Sequence, residues 1–187
     1  MNGEETIPLA RPVLGEAEER AVIEVLGSGQ LSLGPRVPEF ERAFAARVGA
    51  PLASAVSSGT AGLHLALRAV DVGEGDEVIT SPFSFVASAN VALYEKARPV
   101  FADIDPVTLN LDPDAAAAAV TERTKALLPV HIFGYPADLP AFERLADRHG
   151  LGIVEDACEA LGAVYADSTA VGGAGIQPCS GSMPTSS

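Results

Sequence analysis

Residues 52–80 read LASAVSSGTAGLHLALRAVDVGEGDEVIT, and their pattern decides the fold. Residues 52–56 are a short apolar run bounded by turn formers, the mark of a strand. Residues 61–70 repeat apolar side chains at helical spacing. Residues 77–80 form a second short apolar run, entered through the Gly-x-Gly-Asp-Glu-Val turn of residues 73–78. A strand, a helix and a strand in so short a span form a crossover unit, which joins parallel strands.

The same alternation extends to both sides. Downstream, helices are predicted over residues 85–94, 113–120 and 139–149, and strands over 99–104, 126–132 and 152–155. Upstream, residues 16–26 put Ala17, Ala21, Val22 and Val25 on one helical face, Gly27, Gly29 and Gly34 interrupt, and residues 37–48 form a second amphipathic helix. The fold class is therefore α/β, a mostly parallel sheet with helices on both faces. Residues 168–187 are rich in Gly, Ser, Thr and Pro without a period, and read as an irregular tail behind a domain spanning 1–167.

Composition narrows the function. The chain has 187 residues, enough for one domain with a sizeable core, and 48% are hydrophobic. A formal net charge of -13 argues against nucleic-acid binding, which needs clustered Lys and Arg. Cys158 and Cys179 are too few for a disulfide framework, so a cytoplasmic location is expected. Residues 1–8 lack a signal-peptide pattern, and no apolar run is long enough to span a bilayer. The histidines and cysteines lack metal-ligand spacing, and neither a nucleophile elbow nor a dinucleotide fingerprint occurs.

In parallel sheets, ligands sit beyond the carboxyl ends of the strands. Ser57-Ser58-Gly59-Thr60 stands at such an end. Gly59 permits close backbone approach, and the helix start offers free N–H groups and a positive dipole end, which suits a phosphate. An ordinary capped helix start has the same composition. Asp156 ends another strand, where a buried carboxylate needs a partner: a protonated pyridine nitrogen, or the amides of the next turn. Phe83 and Phe85 suit stacking on a flat ring or plain core packing. His131 reads as a core histidine or as a neighbour of a cofactor oxygen.

Together these segments resemble the DegT/DnrJ/StrS family of pyridoxal-phosphate sugar aminotransferases. The resemblance runs from Ile7-Pro8-Leu9-Ala10-Arg11-Pro12 through residues 27–35, Phe40-Glu41, 58–67, 73–78, 81–90 and 155–163. It implies a fold-type I large domain, incomplete at its C-terminal side. It assigns Gly59 and Thr60 to the phosphate of pyridoxal 5'-phosphate, Phe85 to stacking on its ring, Asp156 to its ring nitrogen, and Glu159 to the neighbourhood of its phenolic oxygen. It further implies pyridoxamine phosphate as the alternate cofactor form, an amino acid donor such as glutamate, a nucleotide-linked keto sugar as acceptor, and a homodimer in which residues 29–34 reach the neighbouring site.

One departure is large. The family carries a Schiff-base lysine in a downstream segment, and neither Lys96 nor Lys125 matches its place. The expectation is that this chain is inactive alone. A shift of one base across the codons of residues 175–187 can restore a Phe-x-Phe-x-x-x-Lys segment, so a reading-frame change is the expected origin of the tail. Two other classes fit the departure: a pyridoxamine-phosphate-dependent sugar dehydratase, with His in place of the lysine, and a non-catalytic binding or regulatory fragment.

Overall fold

The computed structural model describes residues 8, 11–173 and 176–177. Apart from residues 176–177, the reading-frame expectation for the tail lies outside the described residues, as do residues 7, 9 and 10 of the first resembling motif. The chain divides into two compact units, residues 1–39 and 40–187.

In the first unit, α1 (Glu16–Ser28) begins where the Glu18 carboxylate accepts the Gly15 N–H at 2.7 Å, and ends at Gly29 in the left-handed conformation. Arg36 binds Glu24 at 2.6 Å and Glu39 at 3.0 Å. The apolar residues Val22, Ile23 and Leu26 of α1 are exposed.

The second unit starts within α2 (Arg36–Val48) and holds α3 (Gly59–Ala69), β1 (Glu77–Thr80), α4 (Ala87–Tyr94), β2 (Arg98–Phe101), α5 (Pro113–Ala118), β3 (Thr124–Leu128), α6 (Leu139–His149), β4 (Gly152–Val154) and β5 (Ile176–Gln177). The sheet order is β2-β1-β3-β4-β5. The first four strands are parallel and β5 is antiparallel to β4.

Strand periodicity sorts the core into two layers. Val78, Ala126, Leu128 and Val154 face one cluster with Leu63, Ala66 and Leu67 of α3 and Val91 and Ala92 of α4. Ile79, Leu127 and Ile153 face the other, with Ala116 of α5 and Leu139, Phe142 and Leu145 of α6. Helices thus cover both faces, as the alternating pattern implied. Close approach of α3 to β4 depends on Gly152: a Cβ there would meet Val70 Cβ at 2.7 Å.

Three expectations need correction. Residues 52–56 are not paired as a strand. β3 ends at Leu128 rather than at residue 132: Val130 adds one parallel bridge, to Asp156, and Ile132–Gly134 then form a 3-10 turn. Within it the buried Asn110 side chain accepts the Ile132 N–H at 3.0 Å and donates to the Tyr135 carbonyl at 3.0 Å, so the backbone polar groups there are bound by a side chain. The helix expected from Phe85 begins at Ala87. β5 arises where the sequence carries no periodic signal, through pairing of Ile176 with Val154 and Gln177 with Ile153.

At the amino end of β1, Glu77 is 2% exposed. Its carboxylate accepts the Thr121 hydroxyl at 2.6 Å and the Arg123 guanidinium at 2.8 and 3.2 Å, with Arg98 at 3.6 Å. The Thr121 bond first, then Arg123, holds this carboxyl below the ordinary glutamate range. A depressed folded-state pKa contributes stability above the unfolded value of about 4.3, lost as pH falls through the folded value. Urea midpoints measured across acid pH should therefore fall less steeply for Glu77→Gln than for the parent, although the variant starts lower at neutral pH.

Candidate active site

Strand β4 leads directly into the site. Beyond Val154 the chain continues beside β3: Asp156 N–H donates to the Pro129 carbonyl at 2.9 Å, and His131 N–H donates to the Asp156 carbonyl at 3.0 Å. Alternation then sends Asp156 to the face of Val154, covered by α3 and α4, and Glu155 to the opposite face. The Asp156 contact with Ser88 of α4 agrees with this placement.

Asp156 is 6% exposed. Its Oδ1 accepts the Cys158 N–H at 3.3 Å, and its Oδ2 lies 3.3 Å from the Ser88 hydroxyl. Both contacts are long for bonds to a carboxylate, which normally draws donors to about 2.9 Å or less. A buried carboxylate held so loosely has capacity for a stronger, cationic donor.

The turn after Asp156 packs against the start of α3. A Cβ on Gly59 would lie 3.0 Å from the Cys158 sulfur, tighter than ordinary contact, so any side chain here would require the sulfur to shift. Ser58 caps α3, with its hydroxyl accepting the Ala61 N–H at 3.1 Å. The N–H groups of Gly59 and Thr60, at the first turn of the helix, have no intrahelical acceptor. Burial first, then the Asp156 carboxylate, pushes the Cys158 thiol up to about 11, so it remains neutral beside this cradle.

Phe85 lies at the carboxyl end of β1 and is 75% exposed, an aromatic face available to a ligand. Glu159 accepts the Phe133 N–H at 2.9 Å. Phe133 itself is in the left-handed conformation (φ 52°), and is 74% exposed. Its ring meets Phe83 edge to face, with centroids 6.0 Å apart. Gly59, Asp156 and Glu159 are thus linked through Cys158 and the turn that follows β4. No direct contact joins Phe85 to Asp156; the Ser84 and Ser88 hydroxyls stand between them.

Sequence reasoning missed Ser84 and Ser88, and also a buried cluster on the opposite face. There Glu155 Oε2 accepts from His131 Nε2 at 3.0 Å and from the Tyr165 hydroxyl at 2.6 Å, and His131 Nδ1 accepts the Ala137 N–H at 3.0 Å. His131 is therefore a bound core residue. A cleft of about 1110 Å³ opens on this side, lined by Arg47, Tyr135, Asp138, Glu143, Tyr165 and Thr169 among others. It contains none of Gly59, Thr60, Phe85, Asp156 or Glu159, so it is not the site they form.

Gly59 and Thr60 suit a phosphate, Asp156 a ring cation and Phe85 a ring face, and this set fits pyridoxal phosphate. Comparison with known proteins points the same way. The chain is 51% identical over 159 residues to the spore coat polysaccharide biosynthesis protein SpsC of Bacillus subtilis (strain 168), an alignment covering 85% of this chain and 41% of SpsC. Among solved structures, an aminotransferase from Psychrobacter cryohalolentis superposes with a TM-score of 0.85 at 39% identity, covering 88% of this chain and 42% of that one. NtdA from Bacillus subtilis with bound cofactor PMP superposes with a TM-score of 0.77 at 34% identity, covering 81% and 35%. This chain thus spans less than half the length of these relatives. The architecture is that of a fold-type I large domain, as the resemblance implied. With residues 12–180 matching it, the chain belongs to the DegT/DnrJ/EryC1/StrS aminotransferase family.

Proposed function

We propose that this chain forms the cofactor-gripping part of a pyridoxal-phosphate aminotransferase that moves an amino group from an amino acid, glutamate by expectation, to a nucleotide-linked keto sugar. The observation that carries the reading is Asp156: a buried carboxylate at the carboxyl end of a parallel sheet, with both oxygens only loosely bound, next to a helix start built for a phosphate.

Each residue has a task that its position supports. Asp156 keeps a pyridine nitrogen protonated by placing an opposite charge against it. Gly59 and Thr60 bind the phosphate through the N-terminus of α3. Phe85 would cover one face of the ring, and the Glu159 carboxylate, held by the Phe133 N–H, would serve its phenolic side. The cofactor, when bound, supplies an electron sink and a carrier for the amino group. Lys96 pairs with Glu74 at 3.2 Å, and Lys125 lies within β3, so neither joins this cluster. The grip proposed for Gly59, Thr60, Phe85, Asp156 and Glu159 is non-covalent. A homodimer is part of the same proposal, supported by the exposed apolar residues Leu31 and Leu33 in the segment expected to reach a neighbouring site. No helix among the described residues is long and apolar enough to cross a membrane.

Pyridoxamine 5'-phosphate tests the reading, because its binding needs no lysine. The full chain should bind it with a change in cofactor fluorescence, and Asp156→Asn should weaken binding at least about tenfold, the loss expected for a hydrogen bond between charged groups. Equal affinities would remove Asp156 from the site.

A further inference from the structure

Ser88 is 1% exposed within the largely apolar helix α4, among the buried residues Ala87, Val91 and Ala92. A hydroxyl in such a place needs partners. Its oxygen lies 3.3 Å from Asp156 Oδ2 and 2.6 Å from the Ser84 oxygen, and the Ser84 oxygen lies 3.0 Å from the Phe85 carbonyl. The chain of hydroxyls thus runs from the carboxylate proposed for the ring nitrogen to the backbone of the residue proposed to cover the ring.

Each hydroxyl carries one hydrogen, so two hydrogens serve three contacts. Two arrangements are self-consistent. In the first, Ser84 donates to Ser88, and Ser88 donates to Asp156. In the second, Ser88 donates to Ser84, and Ser84 donates to the Phe85 carbonyl. The short contact between the serines is satisfied in both. An ionised carboxylate is a stronger acceptor than a carbonyl, so a charged Asp156 selects the first arrangement. Asp156 then has one donor at each oxygen, Ser88 and the Cys158 N–H, which biases its orientation while leaving both oxygens able to take a stronger donor.

We propose that Ser88 is a positioning residue for Asp156, and that Ser84 supplies the hydrogen that keeps the Ser88 hydroxyl turned toward it. This rests on the reading of Asp156 as the partner of a cofactor ring nitrogen. A carboxylate fixed in advance presents its charge to the ring without the ordering cost that a rotating one incurs on binding.

The full chain is titrated with pyridoxamine 5'-phosphate at neutral pH, following cofactor fluorescence and the absorbance band that reports ring-nitrogen protonation. Ser88→Ala should weaken binding about tenfold and move the band toward the unprotonated form, as expected when a charge-assisted bond is lost. Ser88→Thr, which keeps the hydroxyl, should restore both. Ser84→Ala should weaken binding about threefold, since Ser88 keeps its own hydrogen but loses the donor that orients it. Alanine is favourable within a helix, so Ser88→Ala should fold. If the parent does not bind, or Asp156→Asn binds equally well, the reading of Asp156 fails and this proposal fails with it. If Asp156→Asn loses binding while Ser88→Ala matches the parent in affinity and spectrum, Ser88 has no positioning role and the reading of Asp156 stands. If Ser84→Ala alone matches the parent, the part assigned to Ser84 is wrong.

Discussion

Gly152→Val is expected to destabilise the α/β unit by about 3 kcal/mol, and Gly152→Ala by about 2 kcal/mol, read as a drop in urea midpoint at unchanged slope. Gly152 opens β4, in the interior of the sheet, and α3 lies directly over it. A Cβ at this position would sit 2.7 Å from Val70 Cβ and 3.1 and 3.2 Å from its two methyl carbons. The nearest of these atoms is anchored to the backbone, so turning the Val70 side chain does not relieve the overlap. Relief requires α3 to move away from the strand, which opens space around Leu67, Val78 and Val154 in the same cluster. The valine variant adds two more carbons to a volume already filled. A parent-like midpoint for Gly152→Ala would mean that the helix moves off the strand without loss of packing.

Glu155→Ala carries the second large expected effect. Glu155 Oε2 is the shared acceptor of two donors, His131 Nε2–H and the Tyr165 hydroxyl. Because His131 Nδ1 accepts the Ala137 N–H, the ring hydrogen lies on Nε2 and has to find an acceptor there. Burial first, then the bond to Glu155, pushes the Tyr165 phenol above its ordinary range, so it stays a donor. Removing the carboxylate strands both hydrogens, at a cost of about 2–5 kcal/mol. Glu155→Gln keeps one oxygen for both donors and should cost about 1 kcal/mol. Urea unfolding at neutral pH distinguishes the two variants. A small loss for Glu155→Ala would show that water from the cleft beside Tyr165 satisfies the donors instead.

The sequence revealed helices best where local chemistry marks their ends. Residues 139–149 were predicted with the bounds the structure has. Asp138 caps the start of that helix, Pro140 sits in its first turn, and Gly150 ends it in the left-handed conformation. Strands were legible where both faces are buried, as in Ile79 and Leu127. Residues 52–56 have the same composition, but a strand also needs a partner with open hydrogen bonds, and no local pattern reports one. The turn at Ile132–Gly134 was hidden for a related reason: the Asn110 side chain that secures it lies far away in sequence.

The site divides the same way. Gly59, Thr60 and Asp156 could be proposed from sequence because strand ends and helix starts are local features. Ser88 could not, because its partner is 68 positions away and its own neighbourhood reads as apolar helix. The Glu155 cluster was equally silent, since it joins two strand ends to Tyr165.

The strand order also has a consequence for how the protein is made. β1 pairs with β2 on one side and β3 on the other, and β4 is then added beside β3. On a ribosome, the β1–α4–β2 crossover emerges first and can close before the rest exists. β3 then passes β2 and docks on the free side of β1, and β4 docks on β3, so both later parallel strands add to the same flank. The β1–β2 and β3–β4 pairs thus join strands made one after the other, whereas β1 waits for β3 across a longer connection, the slower of these closures. A nascent chain stalled after β3 would present the Leu127 strand as an open edge, which is where a chaperone would be expected to bind.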